Sequence, residues 1–324
     1  MGLQTRKLSE ALTLFRSPVF SGVLVAFFIV TRFWPAGFDA SLYYLRYPPV
    51  NATTPAWVYL VTYPLSLIGW PLSWQVLATA TILVTSVSYA MRGNRRWWIV
   101  AASTPVLYNA WWGQIEIFSV LGVILGILIL QKKIHPAWIG IVWLALAIKP
   151  QTNYGLLLLL TWWAWRELGF KALIPGGVIT LGVIGLTFVI WPGWLQRLLG
   201  VYGNVHLGMS NASLWPYGLV AWLFALLPVR MGPDRRIRMV AAASLLGSPY
   251  FTLHHCITLM VLTDYPVVLL LSWIPAVMIV VTRDWAQFAW VLPVGIMAID
   301  LGYLILERRR AKQTSVSPGE YESS

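Results

Sequence analysis

Cysteine occurs once in the 324 residues, at Cys256, which excludes an intramolecular disulfide and any metal centre built from several thiolates. Acid is nearly as scarce. The chain carries 11 Asp and Glu against 23 Lys and Arg, and most of those acids stand beside basic residues in loops or in the C-terminal tail. Charged residues make up only 10% of the chain, 58% are hydrophobic and the mean hydropathy is +0.70, which is more apolar side chain than a water-soluble core can bury. No soluble domain, no repeat of fixed period and no small-x-small cleavage signature after the first apolar run are visible. An Asp-x-Asp pair of the kind that holds a nucleotide-sugar metal is also missing.

What is present is one apolar stretch after another, each of about 14 to 21 residues, against the roughly 20 needed to cross a hydrocarbon core. The pattern predicts an all-α, polytopic transmembrane helical bundle of about 11 or 12 spans with a short first outer loop. One domain is expected over 1–306, followed by a polar tail over 307–324. The net charge of +12 does not call for a nucleic-acid partner, because the basic residues gather in short clusters between apolar segments, as positive-inside bias requires. These clusters are Arg6/Lys7/Arg16, Arg92/Arg95/Arg96, Lys132/Lys133, Arg166/Lys171, Arg230/Arg235/Arg236/Arg238 and Arg308/Arg309/Arg310/Lys312.

If every cluster is cytoplasmic, an even number of crossings separates neighbours. Segments 97–112 and 115–131, 136–149 and 151–165, and 172–191 and 215–229 form pairs, and 238–306 holds four. Only 18–33, 55–69 and 72–91 break parity: either 55–69, which carries Pro55 and Pro64, does not fully cross, or the Arg92 to Arg96 loop lies outside, and the first reading is preferred. The tail is then cytoplasmic. The loop 32–54, the turn at 112–114, Lys149-Pro150, the loop 192–214 and His254-His255 all fall on the opposite face, as one extracytoplasmic site would require.

Several groups on that face carry chemistry. Asp39 is a lone carboxylate just beyond the first apolar segment, followed by Tyr43, Tyr44, Arg46 and Tyr47-Pro48-Pro49; with a neighbouring cation and phenols it can bind a hydroxylated acceptor and take its proton. The plainer reading is an interfacial aromatic loop with Asp39 paired to Arg32 or Arg46. Asn109, Gln114 and Glu116 interrupt two spans; they either satisfy exposed backbone or, for Glu116, hold a metal, a sugar hydroxyl or a buried Arg. Lys149 closes one span before Pro150 and either snorkels to headgroups or serves as a point charge for a phosphate. Adjacent histidines on a helix point about 100° apart, so His254 and His255 are not expected to share a metal in the i, i+4 manner. One is expected to face a cavity while the other packs or hydrogen-bonds. Asn211 and Ser213 either cap the next helix or meet substrate. No cofactor is expected and no metal ligands are assigned, although Glu116 leaves a divalent ion open. The 20 Trp exceed what interfacial belts need, and their faces suit sugars and polyprenyl chains as well as helix packing.

In this order the motifs resemble the membrane glycosyltransferases of the C superfold, most closely the family-87 polyprenol-phosphate-mannose-dependent mannosyltransferases. The resemblance rests on Asp39 with Tyr43, Tyr47-Pro48-Pro49, Pro64-Leu65, Gly113-Gln114, Lys149-Pro150, Asn211 to Leu214, and Ser248-Pro249 before His254-His255. Two features depart from it. Pro64 lies farther from Pro48-Pro49 than in the family, and Thr252 and Leu253 replace the Trp and acid that usually precede the His pair. The resemblance implies a multi-pass cell-membrane enzyme that moves a hexose, mannose favoured, from a polyprenyl-phosphate carrier to a lipid or glycan acceptor on the extracytoplasmic side, with inversion. It implies Asp39 as base and His254 or His255 assisting, with Tyr43, Arg46, Gln114, Glu116, Lys149, Asn211 and Ser213 as substrate-binding candidates. A transporter or flippase of lipid-linked or small substrates is the alternative; its sites would lie at mid-bilayer between repeated halves. A non-enzymatic lipid-binding scaffold is the third possibility, and what separates it from an enzyme is whether Asp39, Lys149 and a His share one cavity.

Overall fold

Proline and glycine decide where the apolar runs become helices and where they stop. Ser17 opens α1 (Pro18–Arg32) by accepting from the Phe20 amide at 3.3 Å, with Pro18 in the first turn, where a missing N–H costs nothing. In the structure, a computed structural model, residues 13–34, 36–45, 54–203, 211–228, 231–282 and 287–316 are described, with backbone alone for 201–203 and 312–316. Arg46, Tyr47-Pro48-Pro49 and most of the tail lie outside the described residues. The described residues are helical, with no strand among them.

After α1 come α2 (Trp57–Ser66), α3 (Leu72–Met91), α4 (Thr104–Trp112), α5 (Ile117–Leu130), α6 (Ile139–Leu146), α7 (Pro150–Leu168), α8 (Phe170–Ile190), α9 (Trp194–Gly203), α10 (Pro233–Leu246), α11 (Val267–Thr282) and α12 (Val291–Val316). Three helical stretches are long and apolar enough to cross a membrane, Leu72–Met91, Phe170–Ile190 and Gln287–Ala311. The others are shorter. α2 has 10 residues with Pro64 inside, about 15 Å at the helical rise. The run 97–112 is split at Ala102-Ser103 into Trp98–Ala101 and α4. The run 215–229 holds only a 3-10 turn, Tyr217–Val220, and the short helix Ala221–Ala225. Apolar content marked these stretches in the sequence, but their prolines and tertiary contacts cut the helices short.

The core is a set of packed helices with α3, α5, α7 and α10 inside. α3 carries hydroxyls in an apolar setting, and they are satisfied along the helix: Thr81 donates to the Leu77 carbonyl at 3.0 Å and Thr85 to Thr81 at 2.7 Å, as buried Ser and Thr in helices do. α8 differs, with Val178, Leu181 and Val189 65%, 71% and 80% exposed. An apolar surface of that kind suits a hydrocarbon neighbour. The 20 residues of α3 span about 30 Å and separate two polar clusters, one at the Trp74 end and one at the Arg92 end.

Candidate functional site

The Asp39 turn is seated on the end of α4 by two glycines with left-handed backbones. Gly37 (φ 78°) donates its amide to the Trp111 carbonyl at 2.7 Å, and Gly113 (φ 71°) ends α4. A Cβ at 113 would overlap the Ala40 side chain, so the turn and the helix end approach this closely only because the residue is glycine. Trp74 on α3 braces the junction from below, donating Nε1–H to the Ala110 carbonyl at 3.1 Å. Asp39 opens the π-helical turn Ala40–Tyr44. Gln114 then bridges the two pieces: its Nε2 donates to Asp39 Oδ2, and its Oε1 accepts from the buried Tyr44 hydroxyl at 3.0 Å. Those two bonds fix the orientation of the Gln114 amide.

Next to this bridge sits Glu116, 2% exposed. Asn109 Nδ2 donates to its Oε2 at 3.0 Å. Its Oε1 faces Lys149 Nζ at 3.7 Å, His254 Nε2 at 3.5 Å and His255 Nε2 at 3.6 Å. None of these closes to a hydrogen bond, and both Glu116 Oε1 and His255 Nε2 are buried without a hydrogen-bond partner. Lys149, from the α6–α7 junction, therefore does not snorkel; its side chain is 11% exposed and turned inward to a carboxylate.

The His pair corrects an expectation. His254 and His255 lie on the 3-10 turn Leu253–Cys256, with ring centroids 4.2 Å apart and planes at 34°, so both face Glu116 where one was expected to turn away. The reason is Thr252. It caps the turn, its backbone amide donating to His255 Nδ1 at 3.0 Å, while its hydroxyl lies 2.8 Å from His254 Nδ1 and 3.1 Å from His255 Nδ1. This cap pulls both rings back over the turn, away from the directions an α-helix would impose.

Glu116, His254 and His255 offer ligand atoms that all lie within 4.8 Å of one another, and zinc ligands around a tetrahedral ion sit about 3.3 Å apart. The spacing suits a metal, but the donor set does not. His255 Nδ1 accepts the Thr252 amide, so the neutral ring carries its proton on Nε2, the nitrogen aimed at Glu116. A ligating nitrogen must present a lone pair there, and in metal sites the remote nitrogen donates instead of accepting. Lys149 also stands 3.7 Å from the same oxygen, where its charge opposes a divalent ion. Two of the three neighbours of Glu116 Oε1, Lys149 and His255, face it as donors.

Asp39 lies outside the membrane-spanning segments. Loss of hydration is the largest influence on its carboxyl, raising it from 3.8 to about 6; Lys149 pulls the other way and Glu116 adds to the rise. A carboxylate titrating near the working pH is suited to accept a proton.

Of the residues singled out in the sequence, Asp39, Gln114, Glu116, Lys149, His254 and His255 come together, with Tyr43 beside Tyr44 at 6.1 Å between ring centroids. Asn211 and Ser213 do something else. Asn211 Oδ1 accepts from the Ser213 and Phe251 amides at 3.0 and 3.2 Å, its Nδ2 donates to the Pro249 carbonyl at 3.2 Å, and Ser213 Oγ donates to Ser248 at 2.5 Å. They clamp the loop that carries the histidines. Arg46 lies outside the described residues. Two residues went unnoticed in the sequence: Tyr108, stacked on His254 at 5.9 Å and 8°, and Tyr250, edge-on to His255 at 6.2 Å. Tyr250 lies between Ser248-Pro249 and the His pair and Tyr108 directly precedes Asn109, so their nearness to motifs was a signal, but the ring contacts come from the tertiary structure. Comparison of the chain with family models, curated proteins and solved structures finds no match.

Proposed function

We propose that the chain is an integral-membrane glycosyltransferase of the C superfold, similar to the family-87 enzymes, that transfers a hexose from a polyprenyl phosphate to a lipid or glycan acceptor on the extracytoplasmic face. The observation that carries this reading is the convergence of Asp39 with Gln114, Glu116, Lys149 and the His pair from turns more than 200 residues apart in the chain. A purely interfacial loop gives no reason for that gathering. The exposed apolar surface of α8, together with the apolar helices, supports a multi-pass placement. The full count of about 11 or 12 spans and the cytoplasmic tail belong to the same proposal.

In this mechanism Asp39 accepts the proton of the acceptor hydroxyl. That oxygen attacks the anomeric carbon from the side opposite the carrier, the carbon–phosphate oxygen bond breaks, and polyprenyl phosphate leaves with the electron pair, giving inversion. Gln114 orients Asp39. The leaving group is already a stable oxyanion, so nearby positive charge and donors matter more than a strong general acid. His255 presents Nε2–H and Lys149 a cation, both gathered around Glu116 without a closed hydrogen bond to it. Aromatic faces at Tyr108 and Tyr250 suit a sugar ring.

The test is transfer of label from polyprenyl-phosphate sugars in membrane fractions, wild type against Asp39→Asn. Asn keeps the shape and loses the basicity, so transfer should fall roughly a hundred- to ten-thousand-fold with insertion unchanged. Equal transfer by both proteins removes Asp39 from its role. One observation favours the transporter alternative: the buried bidentate pair Arg238–Asp300, at 3.0 and 2.7 Å, is of a kind that coupled transport uses. Asp300 falls near the middle of the apolar stretch Gln287–Ala311, but the pair continues to the half-exposed Asp264 and, through Arg235, to the exposed Glu307, as part of the basic cluster.

A further inference from the structure

The basic end holds a cleft of about 530 Å³ between the C-terminus of α3, the turn at 93–96 and the Asp264–Pro266 segment. Tyr89, Asn94, Arg95, Arg96 and Asp264 line it, a volume and polarity suited to a small ligand. The carboxylates around the cleft are already engaged. Asp234 pairs with Arg92 at 3.0 Å, Asp300 with Arg238 at 2.7 Å, Glu307 with Arg235 at 2.8 Å, and Asp264 with Arg238 at 3.5 Å. Among the described residues no carboxylate pairs with Arg95 or Arg96, and both are exposed at the cleft.

Two adjacent guanidiniums without a carboxylate partner among the described residues, in a concave site with an amide donor beside them, are equipped to fork onto phosphate oxygens. Asp264 on the same cleft restricts the charge: it tolerates one negative charge opposite the arginines and repels a second. The apolar lining, Ile99 and Pro266, and the half-exposed Trp98 next to the turn place the cleft where ring-bearing residues meet lipid headgroups. We propose that this cleft binds the phosphodiester headgroup of an anionic phospholipid, with Arg95 and Arg96 clamping the phosphate and the acyl chains leaving past Ile99 and Pro266. The inference does not depend on the transfer chemistry, because the site lies at the other end of α3.

The full-length protein, purified in detergent, is incubated with dioleoylphosphatidylglycerol or dioleoylphosphatidylcholine, with and without excess inorganic phosphate, and retained lipid is counted by native mass spectrometry. Wild type should retain phosphatidylglycerol in preference to phosphatidylcholine. The double variant Arg95→Gln/Arg96→Gln should retain about tenfold less, while Lys132→Gln/Lys133→Gln, which removes the same charge from another inter-helix turn, should match wild type. If the double variant is not monodisperse, Arg95→Lys/Arg96→Lys keeps the charge and removes the fork, and reduced retention by it supports the clamp. Equal retention by the arginine variants and wild type overturns the proposal, as does equal retention of the two lipids. Displacement of the lipid by inorganic phosphate alone also overturns it, since the site would then take free anions.

Discussion

The two polar ends of the molecule use similar residues with opposite closeness of fit. At the basic end, Asp300 receives Arg238 through two bonds at 3.0 and 2.7 Å and the Tyr265 hydroxyl at 2.8 Å, and Glu307 receives Arg235 twice at 2.8 Å. At the Asp39 end, one oxygen of Glu116 faces a lysine and two imidazoles, all between 3.5 and 3.7 Å, and hydrogen-bonds to none. Closed pairs hold helices in place, although Arg92 Nη1 and Arg235 Nε are buried at this end without a hydrogen-bond partner. Open ones leave donor capacity that a substrate can take up, and a buried polar atom without a partner is costly enough to need such a reason.

That contrast breaks most visibly through Asp300. Asp300→Asn leaves Arg238 buried without its counter-charge and should cost about 3–5 kcal/mol of stability, read as a lowered unfolding midpoint in detergent, with transfer per folded molecule unchanged. Asp39→Asn should behave in the opposite way. Its carboxyl is raised from 3.8 to about 6 by loss of hydration, so the fold favours the protonated form, and that contribution is present at low pH and lost as pH rises through about 6. Replacing the charge with an amide is therefore neutral or stabilising at pH 7. A large loss of stability in Asp39→Asn would make this end structural like the other.

A smaller effect sharpens the comparison through pH. In the proposed mechanism Asp39 acts ionised, so transfer is expected to fall as pH drops below about 6. Glu116 adds to the rise of the Asp39 carboxyl and Lys149 opposes it; hence Glu116→Gln should move the acid limb of the rate profile to lower pH and Lys149→Met to higher pH. Identical limbs in all three proteins would show that the cluster does not act on Asp39. The mildest change is Glu307→Gln. Its side chain is 60% exposed, and an ion pair in that setting contributes about 1 kcal/mol or less, so the midpoint should barely move, in contrast to Asp300→Asn.

How much of this was legible beforehand varies by element. α3 occupies 72–91 as its apolar run indicated, and α1 and α8 differ from expectation by a residue or two at their ends. The break in 97–112 has a local signal in Ser103-Thr104-Pro105, which puts Pro in the first turn of α4, and a distant contact in the Thr104 hydroxyl bonded to Ser272 on α11. The His pair was misjudged because helix periodicity does not apply to a capped 3-10 turn. Asp300 attracted no attention in an apolar run, and Arg238 looked like a topology marker, since their partnership spans 62 residues and leaves no local pattern.

Local chemistry alone determined that the chain is helical and apolar, where the helices of α3 and α8 run, and that reactive side chains sit in the turns between them, because backbone satisfaction in an apolar medium and helix periodicity act over a few residues. Which of those side chains meet was decided only by packing. Asp39 and Gln114 are 75 residues apart and Arg92 and Asp234 are 142 apart, and contacts that reach only a few ångströms are set by how distant helices come to lie against one another.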